Sequence, residues 1–123
     1  MDIMGENIIM IEMRKNARYQ SLAGAKIEGV SEGDTLLKDI SVTGCKVECT
    51  TYVEIKLNMQ YKMEVIPESA AKIGGFDLLV ESRWIHSAGY SSEIGFAIIE
   101  SPKKKLFQRY VDYLSWRASK GTT

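Results

Sequence analysis

Apolar and polar residues alternate along much of the chain between about residues 23 and 100, and the period lengthens to that of a helix after Ser101-Pro102. The alternation is clearest where Phe76, Leu78, Val80 and Trp84 share one parity and Asp77, Glu81 and Arg83 the other, which predicts a strand with one buried face. Ser87 to Ser92 reads as a turn, and Ile94, Phe96 and Ile98 supply the inward set of the last strand. Upstream, Ala23 to Val30 alternates weakly, Ser31-Glu32-Gly33-Asp34 signals a turn, and Thr35 to Ser41 resumes as a strand. Extended runs follow at Cys45 to Thr51, at Thr51 to Leu57, and at Gln60 to Ile66, the last ended by Pro67. Asn7 to Met13 is apolar enough for a short strand or a packed arm, and Arg14 to Leu22 reads as a loop. In the final segment Ser101 suits an N-cap and Pro102 the first helical position, and Leu106, Phe107, Tyr110, Val111 and Leu114 fall on one helical face to about Ala118. Lys103, Lys104 and Lys105 sit at the positive end of that helix dipole, whereas Arg117 and Lys120 suit the negative end. Short strands followed by one amphipathic helix predict a mainly β fold, a small antiparallel barrel with a C-terminal α-helix packed on it.

Composition narrows the function classes. At 123 residues the chain fits one domain, with residues 1–22 as an arm and loop, 23–100 as the barrel and 101–118 as the helix. Sixteen basic and sixteen acidic residues cancel, which argues against an electrostatic grip on long nucleic acids. Cys45 and Cys49 fall on one face of a strand about 13 Å apart at roughly 3.3 Å per residue, too far for a disulfide, and read as reduced, partly buried thiols. With His86 the only histidine, a zinc site of the Cys and His type lacks ligands, and no metal or cofactor is expected. The sequence shows neither an apolar run of membrane-spanning length nor a leader pattern, so a cytoplasmic location without membrane insertion is the expectation.

The candidate chemistry lies in two short stretches. In Asp39-Ile40-Ser41-Val42-Thr43-Gly44 a continuous strand would expose Asp39, Ser41 and Thr43 and bury Ile40 and Val42, with Gly44 permitting a bulge, a positive φ or close approach of a ligand. About twenty residues earlier, Arg14-Lys15-Asn16-Ala17-Arg18 supplies the positive charge this row lacks. Taken alone, the basic stretch is an ordinary solvated charge run, and Asp39 and Ser41 are ordinary turn or strand-edge caps.

Together, Arg14-x-x-x-Arg18 and Asp39-x-Ser41-x-x-Gly44 resemble the paired signature of PilZ domains, bacterial receptors for cyclic di-GMP. The resemblance runs from about Met13 to the helix and includes Ile94-Gly95-Phe96. It implies a six-stranded antiparallel β-barrel with a C-terminal helix, and a non-enzymatic adaptor that binds cyclic di-GMP and relays the signal to a downstream protein in motility, adhesion or exopolysaccharide output. By the same resemblance Arg14 and Arg18 hold guanine and phosphate groups, with Lys15 beside them, while Asp39, Ser41 and Gly44 form the barrel-side wall. Arginine suits the task because its planar fork pairs with phosphate or with the O6 and N7 acceptors of guanine. Trp84 falls near where some members place an aromatic beside the ligand, although a tryptophan on the apolar parity of a strand is more often core. Some members carry a further arginine before the first motif arginine and take up a ligand dimer; Met13 stands there, which favours one bound molecule.

The expected mechanism is ordering of the arm around Arg14 to Ser21 over the ligand, which changes the surface offered to a partner. Two alternatives belong to other classes. One is a divergent PilZ protein-interaction module that does not bind nucleotide, and the other a small nucleic-acid-binding barrel, which would want a basic surplus and exposed stacking aromatics. An enzyme is the least supported reading, since His86 has no identifiable nucleophile or carboxylate partner in sequence.

Overall fold

The computed structural model describes residues 17–31 and 35–121. The expected loop Arg14 to Leu22 holds a two-residue strand, β1 (Tyr19–Gln20), because its backbone pairs with that of Asp39 and Ile40; the alternating stretches become β2 (Gly24–Ile27), β3 (Thr35–Ile40), β4 (Gly44–Cys49), β5 (Gln60–Ile66), β6 (Phe76–Ala88) and β7 (Ser91–Glu100), followed by helix α1 (Lys104–Gly121). All pairings are antiparallel in the order β3-β2-β5-β6-β7-β4, and β4 pairs back onto β3, so six strands close a barrel. Closure is how a small antiparallel sheet removes its edges. The extra strand β1 lies along the same edge of β3 as β2, with Tyr19 opposite Ile40 and Gln20 opposite Asp39.

Alternation builds the interior. Leu37 and Ile40 of β3, Val47 of β4, Met63 and Val65 of β5, Phe76, Leu78 and Val80 of β6, and Ile94 and Phe96 of β7 are buried. Helix α1 adds Phe107, Tyr110, Val111 and Leu114, and the Phe76 ring meets those of Phe107 and Tyr110 at centroid separations of 5.9 and 6.0 Å. Tyr110 carries a polar tip into this packing: its hydroxyl donates to Glu68 Oε1 at 2.6 Å and accepts from Ser21 Oγ at 2.7 Å. Cys45 and Cys49 both point inward as free thiols, and both are fully buried rather than partly so.

Several expectations are corrected. Residues 51–57 do not form a strand, because their backbone is held elsewhere: the buried Ser82 hydroxyl donates to Lys56 O at 2.5 Å, and Asn58 and Met59 exchange backbone hydrogen bonds with Ser82. Val53 and Ile55 pack on the core, which accounts for their alternation. The strand at Thr35 stops at Ile40, so Ser41 belongs to a turn. The β6–β7 loop is shorter than Ser87 to Ser92, with only Gly89 and Tyr90 between the paired Ala88 and Ser91. Gly89 has φ 64°, the positive value that two-residue hairpin turns demand of a central residue. Ser101 is not the helix cap: a turn over Pro102-Lys103 intervenes, and the first helical bond runs from Phe107 N to Lys103 O. Asn7 to Met13, Arg14 and Lys15 lie outside the described residues.

Candidate functional site

The site is a row across the outer wall. Register places Gln20 of β1 opposite Asp39 of β3, Asp39 opposite Lys46 of β4, Lys46 opposite Gly95 of β7, and Gly95 opposite Trp84 of β6. Neighbouring strands lie about 4.8 Å apart, so five residues from five strands make a band of roughly 19 Å. Two bulges create it. The register shift between Leu37 and Asp39 turns both Lys38 and Asp39 outward. The shift between Ser82 and Trp84 reverses the parity of β6: Ser82 is its last fully buried residue, Trp84 turns out, where it is 43% exposed, and Ile85 packs on the core. Trp84 is therefore not core, against the parity of its strand.

The turn between β3 and β4 is a tight hairpin in which Ser41 N donates to Gly44 O at 2.8 Å, with Val42 and Thr43 between. Ser41 is buried, and its hydroxyl accepts from the Gly44 and Thr43 amides at 3.1 and 3.2 Å. It thus holds the turn from inside and is not part of an exposed polar row. Gly44 has no positive φ, and close approach is what requires it. A β-carbon there would stand 2.9 Å from Phe96 O and 3.1 Å from Arg18 Nη2.

Arg18 reaches back over this hairpin from the residue before β1. Its Nη1 donates to Asp39 Oδ1 at 2.8 Å, and Lys46 Nζ approaches Asp39 Oδ2 at 3.7 Å. The two motifs, 21 residues apart in sequence, therefore meet through the Arg18–Asp39 pair. Beside them Trp84 lies across Gly95, its indole filling the space that a side chain at residue 95 would take.

Arg18, Asp39, Cys45, Lys46, Arg83, Trp84, Gly95 and Phe96 line a hollow of about 310 Å³. Three cations face one carboxylate there, and Arg83 is further tethered to Glu81 at 3.0 Å. Cys45 is sealed below: burial first, then the Asp39 charge, pushes its thiol up to about 12 against the opposing pull of Arg18. A thiol held neutral in that way is inert as a nucleophile. Lys46 and Arg83 were not foreseen. Lys46 was within reach, since a two-residue turn at Val42-Thr43 places it opposite Asp39, but Arg83 depends on the β6 bulge. Arg14 and Lys15 lie outside the described residues.

Among the described residues no group of three or more His, Cys, Asp or Glu side chains is placed to hold a metal ion. Nor is any helix among them long and apolar enough to cross a membrane. His86 stands exposed on β6 opposite Glu93 and does not line the hollow.

A six-stranded antiparallel barrel with one added strand and a single C-terminal helix is a PilZ-like fold. Among solved structures it is similar to the Bacillus subtilis inhibitor of motility (MotI/DgrA), with a TM-score of 0.69 and 15% sequence identity over 87% of this chain. The chain covers 51% of that structure, about half its length. At this identity the likeness is one of fold. No family model matches the chain, and no curated protein matches it.

Proposed function

We propose that the chain is a receptor domain for cyclic di-GMP, acting as a cytoplasmic adaptor without catalysis. The observation that carries this is the meeting of Arg18 and Asp39, with Gly44 seating the arginine, at a hollow that an exposed tryptophan also lines. A phosphate-linked purine needs a cation for the phosphate, a flat face for the base and acceptors for the base edge. Arg18, Lys46 and Arg83 supply the first, Trp84 the second and Asp39 the third. Arg14 and Lys15 belong to this reading through the motif and complete the ligand's cover as the arm orders over it, changing the surface presented to a partner protein. The partner and the regulated process are those of a second-messenger adaptor, and the similar fold in a motility inhibitor is compatible with control of motility.

The test is thermal. Cyclic di-GMP at saturating concentration raises the melting temperature, because a ligand that binds only the folded state stabilises it by mass action, while GTP and cyclic di-AMP do not. An unchanged melting temperature with all three removes the receptor reading.

The second reading is a PilZ-like interaction module that takes no nucleotide. One observation favours it: Arg18 already spends a hydrogen bond on Asp39, so the motif pair is self-satisfied in the free protein.

A further inference from the structure

We infer that the ligand site has a second half, a separate basic hollow on the other side of the Asp39–Lys46 pair that takes the distal guanosine phosphate of the same cyclic dinucleotide. This rests on the receptor reading and deepens it.

A hollow of about 490 Å³ is lined by Gln20, Ser21, Leu22, Lys38, Asp39, Lys46 and Arg117. It shares Asp39 and Lys46 with the first hollow, so the two are contiguous and separated only by that ion pair. Both lie on the same cross-strand row, the first over its Trp84 end and the second over its Gln20 end. The first alone stands at the floor of the range for small-ligand sites, roughly 300–1,000 Å³, whereas the ligand consists of two equal halves. A two-fold ligand laid along the row would straddle Lys46.

The charge of the second hollow fits a phosphate. Lys38, Lys46 and Arg117 converge on it, against the single carboxylate Asp39. Lys38 is turned outward by the β3 bulge and its exposed pairing with Glu48 is long, at 3.4 Å, so its ammonium is easily redirected. Arg117 is the fixed wall. Its Nη1 donates to Glu68 Oε2 at 2.6 Å and its Nη2 to Gln20 O, which clamps α1 to the strand that follows Arg18. A phosphate beside Arg117 would meet a guanidinium already held in place, with N–H groups beyond those two bonds. The two lysines and the arginine come from β3, β4 and α1, so charge alone in the sequence does not reveal them as a set.

The experiment is calorimetric titration of cyclic di-GMP into the full chain and its Lys38→Glu, Lys38→Ala and Lys62→Glu variants. Lys62 is an exposed lysine on β5 outside both hollows, and its reversal controls for net charge. The expected result is one ligand per chain, an affinity loss of about tenfold in Lys38→Glu, a smaller loss in Lys38→Ala, and a change within about twofold in Lys62→Glu. Equal effects of Lys38→Glu and Lys62→Glu overturn the second half-site. So does a stoichiometry of two in which Lys38→Glu removes one equivalent and leaves the other at full affinity, since that describes two ligands. Absence of binding by the unsubstituted chain overturns the receptor reading itself, and this inference with it.

Discussion

The Arg18 guanidinium lies over Gly44, with Nη2 3.1 Å from where a β-carbon on that glycine would stand. The glycine is thus a seat for the arginine, and the same missing side chain lets the hairpin approach Phe96 O on β7. Gly44→Ala should push the arginine off Asp39 and strain the β4–β7 contact, at a cost of about 1–3 kcal/mol for an overpacked site. Urea denaturation measures the stability loss, and a nucleotide titration should show weakened binding in the same variant. A variant as stable as the parent with full affinity would mean that the close approach has no energetic weight.

Ser41 sits at the centre of the β3–β4 turn and answers two amides, those of Thr43 and Gly44. Removing the hydroxyl in Ser41→Ala leaves the buried Gly44 amide without that acceptor, a loss of about 1–3 kcal/mol, while the part-buried amide of the exposed Thr43 can turn to water. The expected outcome is a lower denaturation midpoint with an unchanged slope. Binding should fall as a consequence of the disturbed turn, and Ser41→Thr should restore more of both than Ser41→Ala.

Trp84 is half-exposed over Gly95, while the other tryptophan, Trp116, lies on α1 and lines neither hollow. Stacking of a guanine on Trp84 should quench part of the tryptophan emission on addition of cyclic di-GMP. Trp84→Phe should abolish the ligand-dependent quench and weaken binding by about 1–2 kcal/mol, the order found for base–aromatic stacking. A quench that persists in Trp84→Phe would assign the signal to Trp116 and take the base away from β6.

Alkaline stability follows from the thiol under the site. The unfolded chain releases the Cys45 proton near the ordinary thiol value of 9.0, whereas the folded chain keeps it to about 12. Between these values the unfolded state binds fewer protons than the native state, so stability falls as pH rises; below 9.0 the contribution is present in full. Tyr110, raised by burial first and then by the hydrogen bond it donates to Glu68, acts with the same sign at higher pH. Urea unfolding between about pH 8 and 11 should therefore show a shallower decline in Cys45→Ala than in the parent. Parallel declines would mean that the thiol titrates in the folded protein as it does in the unfolded one.

Much of the barrel was legible because burial imposes a period of two, and Phe76, Leu78, Val80, Ile94 and Phe96 obey it on opposite sides of one hairpin. The helix was legible for the same kind of reason, its stripe from Phe107 to Leu114 having only the barrel to cover. What misled was local. Val53 and Ile55 alternate as a strand would, yet Ser82 captures the neighbouring backbone, a contact 26 residues distant from Lys56. Asp39 faces outward over the buried Ile40, as their alternation predicts, whereas the bulge at Arg83 moved Trp84 to the outer face, and no pattern of period two announces its own interruption. Among the described motif residues, Arg18, Asp39 and Gly44 gather at one place, whereas Ser41, expected exposed, is buried and braces the turn from inside.

The most direct measurement is isothermal titration of cyclic di-GMP into the unsubstituted chain and into Arg18→Ala. Arg18 is half-exposed and its ion pair with Asp39 is worth no more than about 1 kcal/mol to the fold, so the variant should retain the parent's circular dichroism spectrum. The parent should bind one ligand saturably, and Arg18→Ala should bind about tenfold to a hundredfold more weakly, the loss of a charge-assisted hydrogen bond at about 1.5–3 kcal/mol. Equal affinities in the two proteins, or no heat from the parent at any ligand concentration, would contradict the receptor reading.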